Sequence, residues 1–270
     1  MRILITAAML AMAMGSAASA ATVTIQTFSA GDYTGGLNAS ATVEDFETRS
    51  QLSGNFEGAS GGVGASISGG GFGELAGALG TRVGTFASLG GTGSGTTCGS
   101  HDRASNGCTG LALQSGSING QGNLLPAGGV VSLNSNDTRG ILWDVSLDGG
   151  SGLFDTLLFA VRDAADVGKR TLSILAGGTT TVYDTATNPG LFGNGLAQLV
   201  RINFGQQVTS AQISIETGVN DGFTLDGAAA LIADRDIVAP VPLPAGIALL
   251  LGGLGFLGAA GRFRGNRAIA

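Results

Sequence analysis

The chain has 270 residues, of which 49 are glycine, 13 are basic and 19 are acidic, and it contains one histidine and two cysteines. The acidic balance argues against nucleic acid as a partner, because phosphate binding requires a basic surface. One histidine and two cysteines are too few for a four-ligand Cys/His zinc site. A mean hydropathy of +0.33 indicates a folded chain rather than a disordered one.

The N-terminus carries the pattern of a secretory signal peptide. Arg2 precedes an uncharged and mostly apolar run over residues 3–14, and small residues follow as far as Ala20. A positive start, a short apolar core and small residues before the cut are typical of such signals. The sequence predicts export through the Sec translocon and cleavage between Ala20 and Ala21. An N-terminal membrane anchor is the alternative, although the run is short for a membrane span.

Residues 21–238 predict one large all-β domain, an antiparallel β-sandwich or jelly roll. Polar and apolar residues alternate with period two in short runs, and Gly or Asn/Asp clusters separate these runs. No long stretch has the helical period, and the one short helix that the sequence predicts is Phe72–Leu79. Trp143 lies in an apolar strand and is expected in the core. The predicted strands include Thr22–Gln26, Asp155–Asp163 and the runs around Leu172 and Ile174, Val200 to Phe204, Ile213 and Ile215, and Phe223 and Leu225.

The two cysteines and the single histidine lie close together in the sequence. Cys98 and Cys108 enclose nine residues, and in an exported protein such a pair is predicted to form a disulfide, with free thiols as the alternative. His101 lies inside this loop and is expected to be a solvated loop residue rather than a catalytic base. Residues 58–62 fit G-x-S-x-G, a match that this glycine content produces by chance. The sequence therefore predicts no catalytic residue.

Carboxylates cluster in three places, of which two supply candidate calcium ligands. Glu44 and Asp45, in the first cluster, point to opposite faces of a strand and so do not converge on one ion. Calcium prefers oxygen ligands, and solvated turn residues are the alternative interpretation of the other two clusters. No other cofactor is expected. The candidate ligands are Asp163, Asp166, Asp221 and Asp226.

The C-terminus combines an extended segment, an apolar run and a basic tail. Residues 239–244 contain three alternating prolines, which can join neither a helix nor a sheet. Residues 245–261 are uncharged and have the minimum length of a membrane-spanning helix. Arg262, Arg264 and Arg267 follow and would stay in the cytoplasm. These residues alone predict a marginal membrane anchor with a basic stop.

This arrangement resembles the VPLPA variant of the PEP-CTERM sorting signal. The resemblance covers residues 239–270 and rests on the motif, the Leu/Gly-rich run and the basic tail, which occur in the family's order. It implies a Gram-negative bacterium, transient retention in the inner membrane, and processing near the motif by an exosortase-type transpeptidase. The tail is more dilute than the family's usual arginine cluster. The motif residues are Val241, Pro242, Leu243, Pro244 and Ala245.

Two short strings in the body, residues 43–47 and 221–226, also resemble the first and last strands of ectodomains that carry such signals. Without the two ends, nine basic residues stand against nineteen acidic ones, a net charge of −10. An acidic exported surface suits solubility and divalent cations rather than anionic lipid.

The sequence predicts a non-enzymatic, structural or adhesive protein of the cell envelope, outer surface or extracellular matrix. The alternative is a carbohydrate-binding module of the exopolysaccharide matrix, with or without calcium. A groove in which Tyr33, Trp143 or Tyr183 is exposed beside carboxylates would favour this alternative, and burial of these aromatic residues would disfavour it. The third class is a secreted hydrolase. It would require His101, or two carboxylates about 5–10 Å apart, at the base of a cleft.

Overall fold

The computed structural model describes residues 20–47, 56–57, 71–75, 77–94, 108–115, 121–127, 129–165 and 170–233. Within these ranges the chain forms fifteen strands, one short α-helix and one 3-10 turn at Asp148–Gly150. The helix is α1 (Ala30–Gly36). The strands are β1 (Thr22–Thr27), β2 (Thr42–Glu44), β3 (Phe56–Glu57), β4 (Gly71–Leu75), β5 (Leu79–Thr81), β6 (Gly84–Ser88), β7 (Ala112–Ser115), β8 (Val131–Asn134), β9 (Gly140–Ser146), β10 (Phe154–Arg162), β11 (Thr171–Ala176), β12 (Thr179–Asp184), β13 (Ala197–Val208), β14 (Ser210–Glu216) and β15 (Thr224–Leu231).

The strands form two antiparallel sheets, which confirms the prediction of an antiparallel, sandwich-like all-β fold. The first sheet has the order β1-β13-β10-β15-β8-β7-β4-β3, and β2 also pairs with β15. The second sheet has the order β12-β11-β14-β9-β6-β5. Strand neighbours in the sheets are often far apart in sequence, so the fold depends on long-range pairing rather than on hairpins alone.

An aromatic cluster joins the two sheets in the core. Trp143 of β9 stacks on Phe86 of β6 with ring centroids 5.2 Å apart. The edge of Trp143 also meets Phe159 of β10, in the other sheet, at 5.8 Å. Trp143 is 1% exposed, and its indole N–H donates to the carbonyl of Val83 at 2.9 Å. The prediction that Trp143 is a core residue is confirmed, and each such buried ring contributes about 1.5–3 kcal/mol.

A second, smaller apolar cluster lies on the other face of the first sheet, under α1. Tyr33 of α1 packs there against residues of β10, β13 and β15. Ser29 caps the helix by accepting the N–H of Asp32 at 3.3 Å. Because both faces of the first sheet are covered at this point, nearly every residue of β10 and β15 is buried. The buried members of the cluster are Tyr33, Leu125, Leu158, Ala160, Leu199, Ala229 and Leu231.

The predicted strands correspond closely to observed ones, whereas the predicted helix is wrong. The runs of alternating polar and apolar residues correspond to β1, β10, β11, β13, β14 and β15, and the bounds of each strand lie within a few residues of the predicted ones. The segment Phe72–Leu79 instead contributes to β4 and β5. Its glycines are poor helix formers, and β4 is held by an antiparallel ladder to β7, a strand about 40 residues away. Long-range pairing therefore overrode the local pattern.

Residues 1–19 and 234–270 lie outside the described residues, so the signal peptide and the sorting signal remain predictions. Among the helices that the structure does describe, none has the length and apolar character needed to cross a membrane.

Candidate functional site

The most concentrated polar site lies where β15 meets the segment 121–127. Asp226 pairs in register with Ala160, so its carboxylate faces the outer side of the first sheet, toward this segment. Its Oδ2 accepts the N–H groups of Leu124 and Leu125 at 2.7 and 2.9 Å. Its Oδ1 accepts the N–H of Gly227 at 2.8 Å. One side chain thus satisfies three backbone donors and ties the segment to the sheet.

Glu47 performs the same task for the following turn. Its Oε1 accepts the N–H groups of Val130 and Val131 at 2.7 and 2.9 Å. Asn123 lies between the two carboxylates, and its Nδ2 is 2.9 Å from Glu47 Oε1 and 3.3 Å from Asp226 Oδ2. We call Glu47, Asn123 and Asp226 the carboxylate anchor. It fixes both ends of the connection that leads into β8.

A glycine completes the packing around the anchor. Gly227 has a φ of +57° and lies at an irregularity in the pairing of β10 with β15. A Cβ atom there would come within 2.4 Å of Leu125 and 3.0 Å of Tyr33. The Tyr33 hydroxyl donates to the carbonyl of Gly227 at 2.8 Å. Only glycine allows the helix, the strand and the segment to approach this closely.

Burial dominates the electrostatics of the anchor. Asp226 is fully buried, and desolvation raises its pKa well above the usual range. The backbone N–H groups of Leu124, Leu125 and Gly227 lower this pKa, and the nearby charge of Glu47 raises it further. Burial also raises the pKa of Tyr33 far above its usual value, with a smaller contribution from Asp226. The side chains of Asp226 and Tyr33 therefore stay protonated, and so neutral, to a higher pH in the folded protein than they would in water.

The anchor resembles a hydrolase site only in having two carboxylates near each other. The oxygens of Asp226 accept hydrogen bonds from the chain's own backbone, and the residue is 0% exposed. The surface grooves described below are lined by other residues. A paired acid and base must reach a substrate to act on it. The arrangement is therefore suited to positioning a loop rather than to attacking a bond.

A second buried polar network lies at one end of β7 and β8. The Nδ2 of Asn134 donates to Gln114 Oε1 and to Gln121 Oε1, both at 2.7 Å. Its Oδ1 accepts the N–H of Asn136 at 2.6 Å, and Gln121 Nε2 donates to the carbonyl of Gly222. These residues are all buried, so their hydrogen bonds fix the relative positions of the segments. The sequence offered no sign of this network, because its members are scattered along the chain.

Three of the four candidate calcium ligands lie within the described residues, and each has a hydrogen-bonded backbone or side-chain neighbour of its own. Asp163 is buried, and its Oδ1 accepts the N–H of Gly195. Asp221 is buried near Thr217, whose hydroxyl donates to the Asp221 carbonyl, and Asp226 belongs to the anchor. Asp166 lies outside the described residues. Within the described ranges, no three or more His, Cys, Asp or Glu side chains come together in a group that could hold a metal ion.

The aromatic side chains that the structure describes do not form an exposed platform. Trp143 and Tyr33 are buried, and Tyr183 is half-buried with its hydroxyl donating to the carbonyl of Ala21 at 2.9 Å. In the described part of the chain, every large apolar side chain that is well exposed is aliphatic. The burial of Tyr33 and Trp143 disfavours a carbohydrate-binding platform built on these aromatic residues.

The outer face of the second sheet carries small polar and aliphatic side chains together with the carboxylates of Asp144, Asp184 and Glu216. It carries a groove of about 410 Å³, in which Gln212 Nε2 donates to Asp144 Oδ1 at 2.8 Å. A second groove of about 630 Å³ lies between the turn at Arg82 and the 3-10 turn at Asp148. Register places the following side chains on this face: Thr85, Ala87, Leu142, Asp144, Ser146, Thr171, Ser173, Leu175, Thr180, Val182, Asp184, Ser210, Gln212, Ser214 and Glu216.

The predicted disulfide and the predicted loop histidine remain untested. Cys98, His101 and residues 58–62 lie outside the described residues. Cys108 is fully buried and exchanges backbone hydrogen bonds with Gly93 at 2.8 and 3.0 Å. The pairing of Cys98 with Cys108 stays a prediction.

No protein-family model and no curated protein matches the chain. Two solved structures show distant likeness. One is the enzymatically active domain of tailspike protein 4 of bacteriophage CBA120, 14% identical, with a TM-score of 0.24 over 62% of this chain and 20% of that chain. The other is a family 11 carbohydrate-binding module from Clostridium thermocellum in complex with a mixed-linked tetrasaccharide. It is 10% identical, with a TM-score of 0.26 over 73% of this chain and 98% of that chain. At these TM-scores neither likeness carries an argument about this chain.

Proposed function

We propose that this protein is an exported, non-enzymatic structural or adhesive component of a Gram-negative cell envelope or extracellular matrix. It is carried through the Sec translocon and held briefly by its C-terminal segment, and an exosortase-type enzyme then processes it. The observation that carries the proposal is the order of motif, apolar run and basic tail over residues 241–267. Each part has a physical role, as recognition sequence, membrane segment and cytoplasmic stop.

The described domain supports a structural role through the use of its polar groups. The carboxylates of Glu47 and Asp226 hold backbone segments in place. The buried amides of Asn134 and Gln121 bond to other parts of the chain. Polar side chains that are hydrogen-bonded to other parts of the chain stabilise one conformation and do not present a reactive group to a ligand.

Carbohydrate binding is the second candidate, and the groove at Asp144 and Gln212 is the observation that favours it. Its lining offers hydroxyl, amide and carboxylate groups, which can hydrogen-bond to a sugar without aromatic stacking. A glycan array tests it with the variant Gln212→Ala, and Thr24→Ala on the exposed side of β1 is the control. Binding that is lost only in Gln212→Ala would support this candidate, and a wild-type chain that binds no glycan would remove it.

Changing the motif tests the leading proposal. The double variant Pro242→Ala/Pro244→Ala of the full chain keeps the apolar run and the basic tail but removes the recognition sequence. We expect it to accumulate in the inner membrane at its unprocessed length. Pro240→Ala, which changes the neighbouring proline outside the motif, is the matched control and should be processed normally. Normal processing of the double variant would contradict the proposal.

A further inference from the structure

Among the described residues, the edge strand β12 shows none of the features that usually protect a sheet edge. It ends the second sheet and is paired with β11 alone among the described strands. The segment Thr179–Asp184 contains three threonines, a valine and a tyrosine, and Asp184 is its single charge. Its register with β11 runs without a bulge. Natural edge strands are usually protected by lysine, proline, a bulge or a covering loop.

The hairpin turn determines which backbone groups of β12 point outward. Gly177 and Gly178 both have positive φ, +55° and +78°, as a two-residue hairpin turn requires. Such a turn makes Ala176 and Thr179 the first hydrogen-bonded pair, and the bonding then alternates along the strand. The N–H and C=O groups of Thr180 and Val182 therefore point away from β11. Val182 is 54% exposed, so no described residue covers its side chain on the outer face.

We propose that β12 is the interface for a second copy of this chain, which adds its own β12 antiparallel about a twofold axis at Thr181. In this register Thr180 faces Val182 of the second copy, and Val182 faces Thr180 of the second copy. Each of these two pairs exchanges two backbone hydrogen bonds, so four bonds form. The two six-stranded sheets become one continuous sheet.

The sequence of β12 suits its own copy. In this register Thr180 faces Val182 and Thr181 faces Thr181 of the second copy, so every one of these cross-strand pairs joins two β-branched side chains. Such pairs stabilise sheets. The register also places Asp184 opposite Gly178 of the second copy, which has no side chain. The carboxylates of the two copies thus avoid each other although the body has a net charge of −10. A twofold interface of this kind closes on itself and needs no other partner.

This interface goes beyond the proposed function, since it depends on the strand edge and not on the sorting signal. A failure of dimer formation would leave the export proposal intact, and a failure of sorting would leave the dimer intact. A single strand pair buries less surface than a standard protein interface, so we expect a dissociation constant on the order of 100 µM.

Sedimentation equilibrium of the exported protein tests the interface. Val182→Lys places a charged, flexible side chain at the pairing edge and should weaken dimerisation at least tenfold. Val182→Thr keeps the β-branched shape, and Gln207→Lys adds the same charge to β13, an interior strand of the first sheet, so both should dimerise like the wild type. A wild-type protein that stays monomeric up to about 1 mM would overturn the proposal. Equal dimerisation of Val182→Lys and the wild type would do the same.

A cysteine at the twofold axis tests the register. Thr181 would face Thr181 of the second copy as a non-hydrogen-bonded pair with Cα atoms about 4.5 Å apart, within disulfide range. Thr181→Cys should therefore give a covalent dimer under mild oxidation, whereas Gln207→Cys, on the interior strand β13, should remain monomeric. Equal yields of covalent dimer from the two variants would overturn the proposed register.

Discussion

The carboxylate anchor makes a direct prediction about the variant Asp226→Asn. The native carboxylate accepts three backbone N–H groups on its two oxygens, two on Oδ2 and one on Oδ1. Asparagine keeps one oxygen and replaces the other by an NH₂ group, which can only donate. Whichever way the amide turns, at least one buried N–H loses its acceptor and faces another donor.

The size of the effect follows from this count. At a pH where Asp226 is ionised, one hydrogen bond to its charged carboxylate contributes about 1.5–3 kcal/mol, and a buried donor left without a partner costs about 1–3 kcal/mol. The substitution also removes a buried charge, whose desolvation raises the pKa of Asp226, and this relief offsets part of the loss. We expect a net loss of about 2–3 kcal/mol in the free energy of unfolding. For a domain of this size the melting temperature then falls by roughly 5–10 °C.

Urea and thermal unfolding of Asp226→Asn and the wild type measure the effect. Asp144→Asn is the matched control, because Asp144 is exposed and its Oδ1 can still accept from Gln212 after the change. We expect the control to lie within about 0.5 kcal/mol of the wild type. If Asp226→Asn is as stable as Asp144→Asn, the carboxylate does not hold the segment, and the structural interpretation of the anchor is wrong.

Three further predictions concern pH, the core and one glycine. Because the folded protein raises the pKa of Asp226 above its ordinary value of 3.8, the folded state binds this proton more tightly than the unfolded chain. The free energy of unfolding should therefore decrease as pH rises from about 4, and urea titrations of Asp226→Asn should lack this decrease. Trp143→Phe removes the shorter of two hydrogen bonds to the buried Val83 carbonyl, which keeps only the N–H of Ser146 at 3.4 Å, and should cost about 1–3 kcal/mol, measured by urea unfolding. Gly140→Ala should prevent stable folding, because the new Cβ would lie 2.0 Å from the Ile215 carbonyl oxygen. Gly80→Ala is the control, because a Cβ atom at Gly80 would have no other atom within 4 Å. Circular dichroism should show that this variant folds like the wild type.

The strands could be predicted from sequence where one face is buried and the other is exposed. In β1, β11 and β14 the alternation of residue types matches the alternation of burial. The central strands β10 and β15 are buried on both faces, and only the packing of α1 and the segment 121–127 against the first sheet explains why. The helix α1 itself was missed, because Gly31, Gly35 and Gly36 lower its helix propensity.

The anchor could be located from sequence only in part. Glu47 and Asp226 both belong to the two strings that the sequence singled out, but they lie far apart along the chain. Asp226 was a candidate calcium ligand, whereas in the structure it accepts the N–H groups of Leu124 and Leu125, about a hundred residues earlier. No local pattern indicates such a partner, because hydrogen bonds across this distance depend on the strand order of the first sheet.

The most direct test of the proposed function is the intact mass of the native protein in each cell fraction. The account predicts a protein in the envelope or the medium that begins at Ala21 and ends near Pro244, without the apolar run and the basic tail. A protein that keeps its full C-terminus and stays in the inner membrane would contradict the account, because it would show a plain membrane anchor instead of a sorting signal.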